Sequence, residues 1–450
     1  MKRAVVIGLQ RSGAAAANLL AARGWTITVS DLRSGPELEE FTSRLAPSVG
    51  VALGGHPAGL VDGADLVVVS PGVPLSSPPV REAREKGIEV IGELELAWRY
   101  FHEGHDGHDG PEYYAVTGTN GKSTTVTLLQ MMMAASGRKS LLGGNIGVPL
   151  CSALDSGEDY DCVVAEVSSF QLDTIESFHP RGSAVLNVTP DHLDRYASIR
   201  EYRDSKLRVA VNQSGDDFIV LNADDPLLSD IAGLVPRAYY FSRMKKVNGV
   251  FMQEGKVRFE FSGVESGDII DASDIRIRGA HNMENAMAAS ALALLGGCSM
   301  DAVRKALKEF SGLEHRLEFV RLLDGVTYIN DSKGTNVGAV LKSLESFDSP
   351  VVLIAGGRDK NGEFQKLLPL VSARVRAVVL IGEAAVKMAS VLGSAVECLN
   401  ASTMDDAVEK AGSIACEGDV VLLSPACASF DMFRDFEHRG REFKKAVMGL

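Results

Sequence analysis

Three times along its 450 residues this chain restarts one pattern: a short, continuously apolar strand, a turn of glycine and polar residues, and a helix. The first run opens with a strand at 4–8 and an alanine-rich helix from about Ser12 to Arg23. It continues with a strand at 25–29 that leads to Asp31, and a later strand at 65–69 ends at Ser70, Pro71 and Gly72. The second run spans about 111–311, with strands at 113–116, 161–166 and 184–186. The third, after a helix at 300–310, has strands at 326–330, 351–355, 377–381 and 420–423. Strands without apolar–polar alternation are buried on both faces, and the helices between them supply the cover. The pattern predicts an α/β fold of mainly parallel sheets. No repeat of fixed solenoid period runs through it.

Ligands of such sheets lie beyond the carboxyl ends of the strands. Residues 117–124 occupy one of these ends and read Thr-Gly-Thr-Asn-Gly-Lys-Ser-Thr, ahead of a helix expected from near Thr125. A glycine turn followed by Lys-Ser at a helix N-terminus suits a nucleotide triphosphate. Backbone N–H groups and the helix dipole face the anion, Lys122 reaches the β and γ phosphates, and the Ser123 hydroxyl suits Mg2+. The loop, Gly118-Thr119-Asn120-Gly121-Lys122, is shorter than the usual P-loop, which would need glycine at Val116. ATP is therefore the expected cosubstrate.

Other strand ends carry polar clusters. Glu166 closes an apolar strand in the same run; there it either holds Mg2+ against the phosphates or is a surface residue. His192 lies beyond the strand at 184–186 between Asp191 and Asp194, a position suited to a ligand role. Lys206, fourteen residues on and expected on a helix, reads as a solvated lysine. Two turns, 330–336 and 356–360, combine glycine with Lys333 and Lys360 and suit an anionic substrate. In the first run Gly8, Arg11, Ser12, Gly13, Asp31, Arg33, Ser70 and Gly72 share one sheet edge. The Gly8–Gly13 spacing is not the dinucleotide fingerprint. Asp31 is left to bind a ribose, to accept an amide N–H, or to be a polar strand end.

Composition narrows the partners. The net charge of −13 argues against nucleic acid, which needs a basic surface. No stretch approaches the roughly 20 apolar residues that cross a bilayer, and the apolar run at the N-terminus stops at Gly8, so a first strand is expected there rather than a leader. The six cysteines include no Cys-x-x-Cys pair and read as isolated buried thiols of a reducing cytosol. Cys427 has only His438 nearby in sequence to activate it, which is thin support for a thiol nucleophile. The segment 102–110, rich in glycine, aspartate and histidine, reads as a solvated linker. The expectation is a soluble cytoplasmic protein with no membrane insertion.

Taken together, residues 117–124, 166–171, 187–195, 281–285, 314–316, 331–333 and 424–440 resemble the motifs of the Mur ligases, in the same order and over nearly the whole chain. Residues 356–360 and 424–431 most resemble the branch that joins D-glutamate to UDP-N-acetylmuramoyl-L-alanine. The resemblance implies three domains: a Rossmann-like UDP-sugar-binding domain at 1–98, a central P-loop-type ATPase domain at 99–311, and a Rossmann-like C-terminal domain at 312–450 that closes over ATP and binds the amino acid. It implies an acyl phosphate route to an amide. Lys122 would grip the γ-phosphate, and Ser123 and Glu166 would serve one Mg2+. His192 and Lys206, the latter as a carbamate, would serve a second.

By the same resemblance Gly118, Thr119, Asn120, Gly121, Thr124, Asn282, Asn285, Arg316 and Asp331 join the ATP site. Lys333, Thr335, Lys360, Ser429 and Phe436 form the D-glutamate pocket. Arg11, Ser12, Asp31, Arg33, Ser70, Gly72, Asn145 and His192 form the UDP-sugar side. Gly334, Arg358 and Phe430 depart from the family pattern beside the amino-acid pocket. The implied partners are small molecules, and the implied state is a monomer. Rival readings are a Mur ligase for another amino acid, a folylpolyglutamate synthetase and a nucleotide-driven switch. No Asp-Asn-Pro-Arg motif supports a diamino-acid ligase, and folylpolyglutamate synthetases lack the first domain. A switch needs no constellation of Glu166, His192 and Lys333.

Overall fold

The computed structural model describes residues 2–102, 110–190, 195–229, 231, 237–263, 266–277, 279–359 and 362–450. His192, Lys360 and most of the 102–110 segment lie outside the described residues. The chain forms two compact units, Met1–Ile275 with His281–Phe310, and Arg276–Ala280 with Ser311–Leu450.

The larger unit holds two sheets. In the first, β1 (Arg3–Ile7), β2 (Thr26–Asp31), β3 (Gly50–Leu53), β4 (Leu66–Val69) and β5 (Glu89–Gly92) run parallel in the order 3-2-1-4-5. Chain order reverses between β1 and β4, so the crevice of this sheet opens at Gly8 and Ser70, where their carboxyl ends diverge. The second sheet contains β6 (Glu112–Thr117), β7 (Ser140–Gly144), β8 (Cys162–Glu166), β9 (Gly182–Val185), β10 (Phe218–Asn222), β11 (Ala238–Ser242), β12 (Gly249–Gln253), β13 (Lys256–Glu260) and β14 (Gly267–Asp271). Their order is 14-13-12-11-10-9-6-8-7, with antiparallel pairing only at β13 and β14. Here β6 lies between β8 and β9, which brings residues 117–121 beside Glu166 and Leu186.

One apolar core runs from the first sheet into the second through Leu94, Leu96, Tyr113, Leu150 and Cys151. Glu95 adds a polar clasp between them. Its carboxylate accepts the N–H groups of Glu176 (3.0 Å), Ser177 (3.0 Å) and Phe178 (2.9 Å) and pairs with Arg99 at 2.8 Å. Burial works against this charge, but the bonds from Ser177, Glu176 and Arg99 outweigh it and hold the carboxyl below its ordinary value of 4.5. The stabilisation is therefore complete above that value and is lost as pH falls through the lower folded value. Glu95→Gln turns an NH2 group toward backbone donors. We predict a loss on the order of 2–3 kcal/mol in denaturant unfolding at neutral pH. A stability gap from the parent chain that does not shrink in acid would contradict this account.

The smaller unit carries β15 (Glu318–Leu323), β16 (Val326–Asn330), β17 (Val351–Gly356), β18 (Val375–Ile381), β19 (Glu397–Asn400) and β20 (Val420–Leu423), in the order 15-16-20-17-18-19. Only β15 is antiparallel to its neighbour. Along β17, Val351, Leu353 and Ala355 enter one core, and Val352 and Ile354 enter the other. Both faces are covered, as uninterrupted apolar strands require.

Two expectations change. The helix after the glycine loop begins at Lys122, not near Thr125, because Gly121 in the left-handed conformation caps it directly. Cys416 is exposed and Cys398 half-buried, so the buried-thiol reading holds only for Cys151, Cys162, Cys298 and Cys427. Among the described residues no helix is long and apolar enough to cross a membrane.

Candidate active site

The loop after β6 is shaped by its glycines. Gly118 and Gly121 have φ of +152° and +85°, and a Cβ at Gly121 would meet Asn285 Oδ1 at 2.1 Å. Only glycine lets the turn close under the helix Ala280–Leu295 and still present the first N–H groups of Lys122–Ala135 outward. The far side of the loop is knitted to the end of β9. Thr119 N–H donates to the Asn187 carbonyl at 2.9 Å, Asn120 N–H donates to Asn187 Oδ1 at 2.9 Å, and Asn187 Nδ2 donates back to the Asn120 carbonyl at 3.1 Å. Asn187 is thus a support of the loop that strand-end reading alone does not single out.

Cations and oxygens meet at this helix start. Lys122 Nζ donates to the carbonyls of Gly118 (2.8 Å) and Thr119 (3.0 Å). Ser123 Oγ donates to Glu166 Oε2 at 2.7 Å, and Asn145 Nδ2 donates to Glu166 Oε1 at 2.7 Å. Glu166 is only 2% exposed, which removes the surface alternative. Lys206 overturns its reading as a solvated lysine: it is 1% exposed, lies 4.1 Å over the Tyr202 ring, and donates from Nζ to the Gly118 carbonyl at 3.1 Å. Its helix, Ile199–Leu207, turns that face inward. Two ammonium groups therefore converge on one carbonyl at a helix N-terminus, an anion site by charge and by dipole. The paired oxygens of Ser123 and Glu166 beside them fit a hard divalent cation such as Mg2+. Asn282 and Asn285 sit on the same side, 3.4 Å apart between Oδ1 and Nδ2.

At the crevice of the first sheet, Gly8, Asp31, Arg33, Ser70 and Gly72 line a pocket of about 310 Å³ together with His56. Ser70 Oγ donates to the Gly8 carbonyl at 2.7 Å, and a Cβ at Gly13 would stand 2.0 Å from that same oxygen. Asp31 accepts the Leu9 N–H at 2.8 Å and is clasped by Arg33 Nε at 3.0 Å. Burial opposes its charge, but the Arg33 and Leu9 bonds prevail and lower its pKa. Of the three readings of Asp31, acceptance of an amide N–H is what the fold displays. Arg11 donates instead to the Gly147 carbonyl, and half-buried Ser12 begins the helix Arg11–Ala22 with it.

In the smaller unit, Asp331 is turned inward, accepting from Ser343 Oγ (2.6 Å) and Ser424 Oγ (2.7 Å). Burial raises its pKa despite these bonds and nearby Arg316. A Cβ at Gly334 would stand 2.7 Å from both Asp331 Oδ2 and Ser424 Oγ, which explains that glycine. Lys333 hangs its N–H on the His315 carbonyl at 3.0 Å, with Nζ 5.6 Å from the Phe436 ring centre. Thr335 N–H donates to the Lys333 carbonyl at 2.8 Å; Ser429 is buried, and Phe430 is 61% exposed. Burial pushes the Cys427 thiol up to about 12, which removes it as a nucleophile at neutral pH.

Arg439 organises this cluster and is missed by strand-end reading. It is fully buried and donates to Ser332 Oγ (3.0 Å), the Ser332 carbonyl (2.9 Å) and the Cys427 carbonyl (3.2 Å). Desolvation lowers its pKa to about 10. A signal does exist in the sequence: Arg439 falls in the apolar stripe of Gly440, Phe443, Ala446 and Val447 on the helix Phe436–Gly449.

Comparison with known proteins bears on the same regions. Residues 2–92 match the Mur ligase MurD-like N-terminal domain, 116–293 the Mur ligase middle domain, and 315–427 the Mur ligase glutamate ligase domain. The whole chain is 46% identical over 455 residues to the UDP-N-acetylmuramoylalanine–D-glutamate ligase of Geotalea uraniireducens, covering 98% of that protein. It is also 46% identical over 452 residues to the ligase of the same name from Geobacter metallireducens, again over 98% of its length. The fold resembles that of the UDP-N-acetylmuramate-alanine ligase MurC of Thermotoga maritima (TM-score 0.59, 21% identity, 100% of this chain and 99% of that one). It also resembles the MurF ligase of Thermotoga maritima solved with ADP (TM-score 0.60, 16% identity, 94% and 95% covered). With all three domain types present in order, and full-length identity well above what fold alone requires, this chain belongs to the Mur ligase family.

Proposed function

We propose that this protein is an ATP-dependent amide ligase that joins D-glutamate to UDP-N-acetylmuramoyl-L-alanine, a step of cytoplasmic peptidoglycan precursor synthesis. The carrying observation is the convergence of Lys122, Lys206, Ser123 and Glu166 on the glycine loop after β6. Relatives 46% identical over nearly their whole length are named as D-glutamate ligases, which favours D-glutamate over the other amino acids of the family.

The chemistry follows from charge. The substrate carboxylate attacks the γ-phosphorus of ATP, the bond to ADP breaks, and an acyl phosphate forms. The D-glutamate amine then adds to the acyl carbon and loses a proton, and the tetrahedral intermediate collapses with departure of inorganic phosphate. Lys122 and the N–H groups of the loop hold the transferring phosphoryl group, whose charge spreads over its outer oxygens. Ser123 and Glu166 would hold one Mg2+, and His192 with a carbamylated Lys206 a second. When bound, these ions neutralise phosphate charge. A carbamate on Lys206 turns a buried cation into an oxygen ligand.

Arg11, Ser12, Asp31, Arg33, Ser70, Gly72, Asn145 and His192 form the sugar-nucleotide side. Asn282, Asn285, Arg316 and Asp331 serve ATP, with Asp331 acting by holding Ser424 and the 331–334 turn. Lys333, Thr335, Lys360, Ser429 and Phe436 take D-glutamate. Domain boundaries near 98 and 311 and a monomeric state complete the reading.

The test is phosphate release from ATP and Mg2+ with UDP-N-acetylmuramoyl-L-alanine, offering D-glutamate, L-glutamate, L-alanine or meso-diaminopimelate in turn. Release and a new amide are expected with D-glutamate alone. An amide with a different amino acid would refute the specificity, and ATP binding without any amide would favour a nucleotide switch.

A further inference from the structure

Asn145 stands at the tip of a turn held far more tightly than a simple connection from β7 to the helix Leu150–Ala153 requires. Residues 143–148 fold back on themselves: Gly143 bridges Val148, and Gly144 N–H donates to the Val148 carbonyl at 3.1 Å. Gly144 and Gly147 have φ of +97° and +69°. A Cβ at Gly144 would stand 2.4 Å from the Glu166 carbonyl oxygen, and one at Gly147 2.7 Å from that of Leu142. The turn is therefore pressed flat against the end of β8, and glycine is what permits it.

That closeness lets Asn145 bond to Glu166 twice. Its N–H donates to the Glu166 carbonyl at 2.9 Å, and its Nδ2 to Oε1 at 2.7 Å. The other carboxylate oxygen accepts from Ser123 Oγ at 2.7 Å. A single donor on one oxygen leaves a carboxylate free to swing about that contact. Donors on both oxygens, from two separate elements, set its position and its plane. The turn is anchored in turn to the start of the helix Arg11–Ala22, because the Arg11 guanidinium donates to the Gly147 carbonyl.

We propose that Asn145 is a positioning residue that holds the Glu166 carboxylate in the plane in which it serves a divalent cation beside Ser123. This rests on the nucleotide reading above and is a role in addition to the sugar-nucleotide contact proposed there for Asn145, since it uses Nδ2 and the main-chain N–H. Glu166 supplies the ligand oxygen, and Asn145 acts through it. Groups that orient a metal ligand in this way cost about 10- to 100-fold in metal affinity when removed.

The test is Mn2+ binding to the full chain saturated with ADP, followed by electron paramagnetic resonance. Asn145→Ala is expected to weaken Mn2+ by about 10-fold. In a Glu166→Gln background the same change should weaken it no further, since the group it acts through is already gone. ADP affinity without metal and the thermal midpoint should stay at the parent values. Equal losses in both backgrounds would overturn the proposal. So would unchanged Mn2+ affinity with a raised KM for the sugar nucleotide. A lowered midpoint together with weaker ADP binding would assign Asn145 to the fold and likewise overturn it. A parent chain that takes up no Mn2+ with ADP would remove the metal–nucleotide reading itself, a failure distinct from that of Asn145.

Discussion

Lys122→Ala is expected to reduce turnover by about 10²- to 10³-fold, the cost of removing one preorganised charge donor from a phosphoryl-transfer site. Lys122 Nζ rests on the carbonyls of Gly118 and Thr119, at 2.8 and 3.0 Å, at the start of its own helix. An ammonium already held at the helix start costs little reorganisation at the moment of reaction. Because breaking the bond to ADP moves charge onto the leaving β–γ bridging oxygen, within reach of a lysine that meets both phosphates, the loss should fall on kcat more than on the binding of ATP. Lys122→Arg should restore little, since a planar guanidinium does not replace a compact ammonium in a turn this closed. Single-turnover phosphate release beside calorimetric ATP binding separates the two effects. Turnover near that of the parent chain in Lys122→Ala would move the phosphoryl site elsewhere.

Lys206→Ala is expected to lose about 10²-fold or more in amide formation and to regain part of it with millimolar acetate or formate. The side chain ends buried, over the Tyr202 ring, with Nζ 3.1 Å from the Gly118 carbonyl. Truncation opens a space beside the loop that fits a short carboxylate, and such an anion supplies the oxygens a carbamate would have carried. Lys206→Arg fills that space with a permanent cation and should not be rescued. Full turnover in Lys206→Ala, or loss without rescue by any short carboxylate, would sink the carbamate. The second result would leave Lys206 as a structural donor to the loop.

The difference between these two lysines shows where local information ends. The placement of Lys122 was legible because it depends on neighbours in sequence: an apolar strand, a glycine turn and a helix start, each set by period and by backbone preference. Glu166, Ser70 and Asp31 were legible for the same reason, as polar residues that end apolar strands. The helix starts at Lys122, less than one turn before Thr125, because left-handed Gly121 lets the turn pass directly into it.

Local sequence carries the α/β class, the strands and turns that build it, and the strand ends at which chemistry can sit. Which of those ends meet is a matter of long-range packing. Lys206 reaches the carbonyl of a residue 88 positions away only because β6 lies between β8 and β9, and the helix Ile199–Leu207 packs its lysine face inward. Asn145 reaches Glu166 because β7 pairs with β8, and Asp331 turns away from solvent toward Ser343 and Ser424 because β16 pairs with β20. Arg439 is buried among backbone carbonyls although its charge alone would place it in water. Strand order and helix orientation are set by the packing of whole sheets, and burial overrides the solvent preference of a single side chain when enough carbonyls and rings receive it.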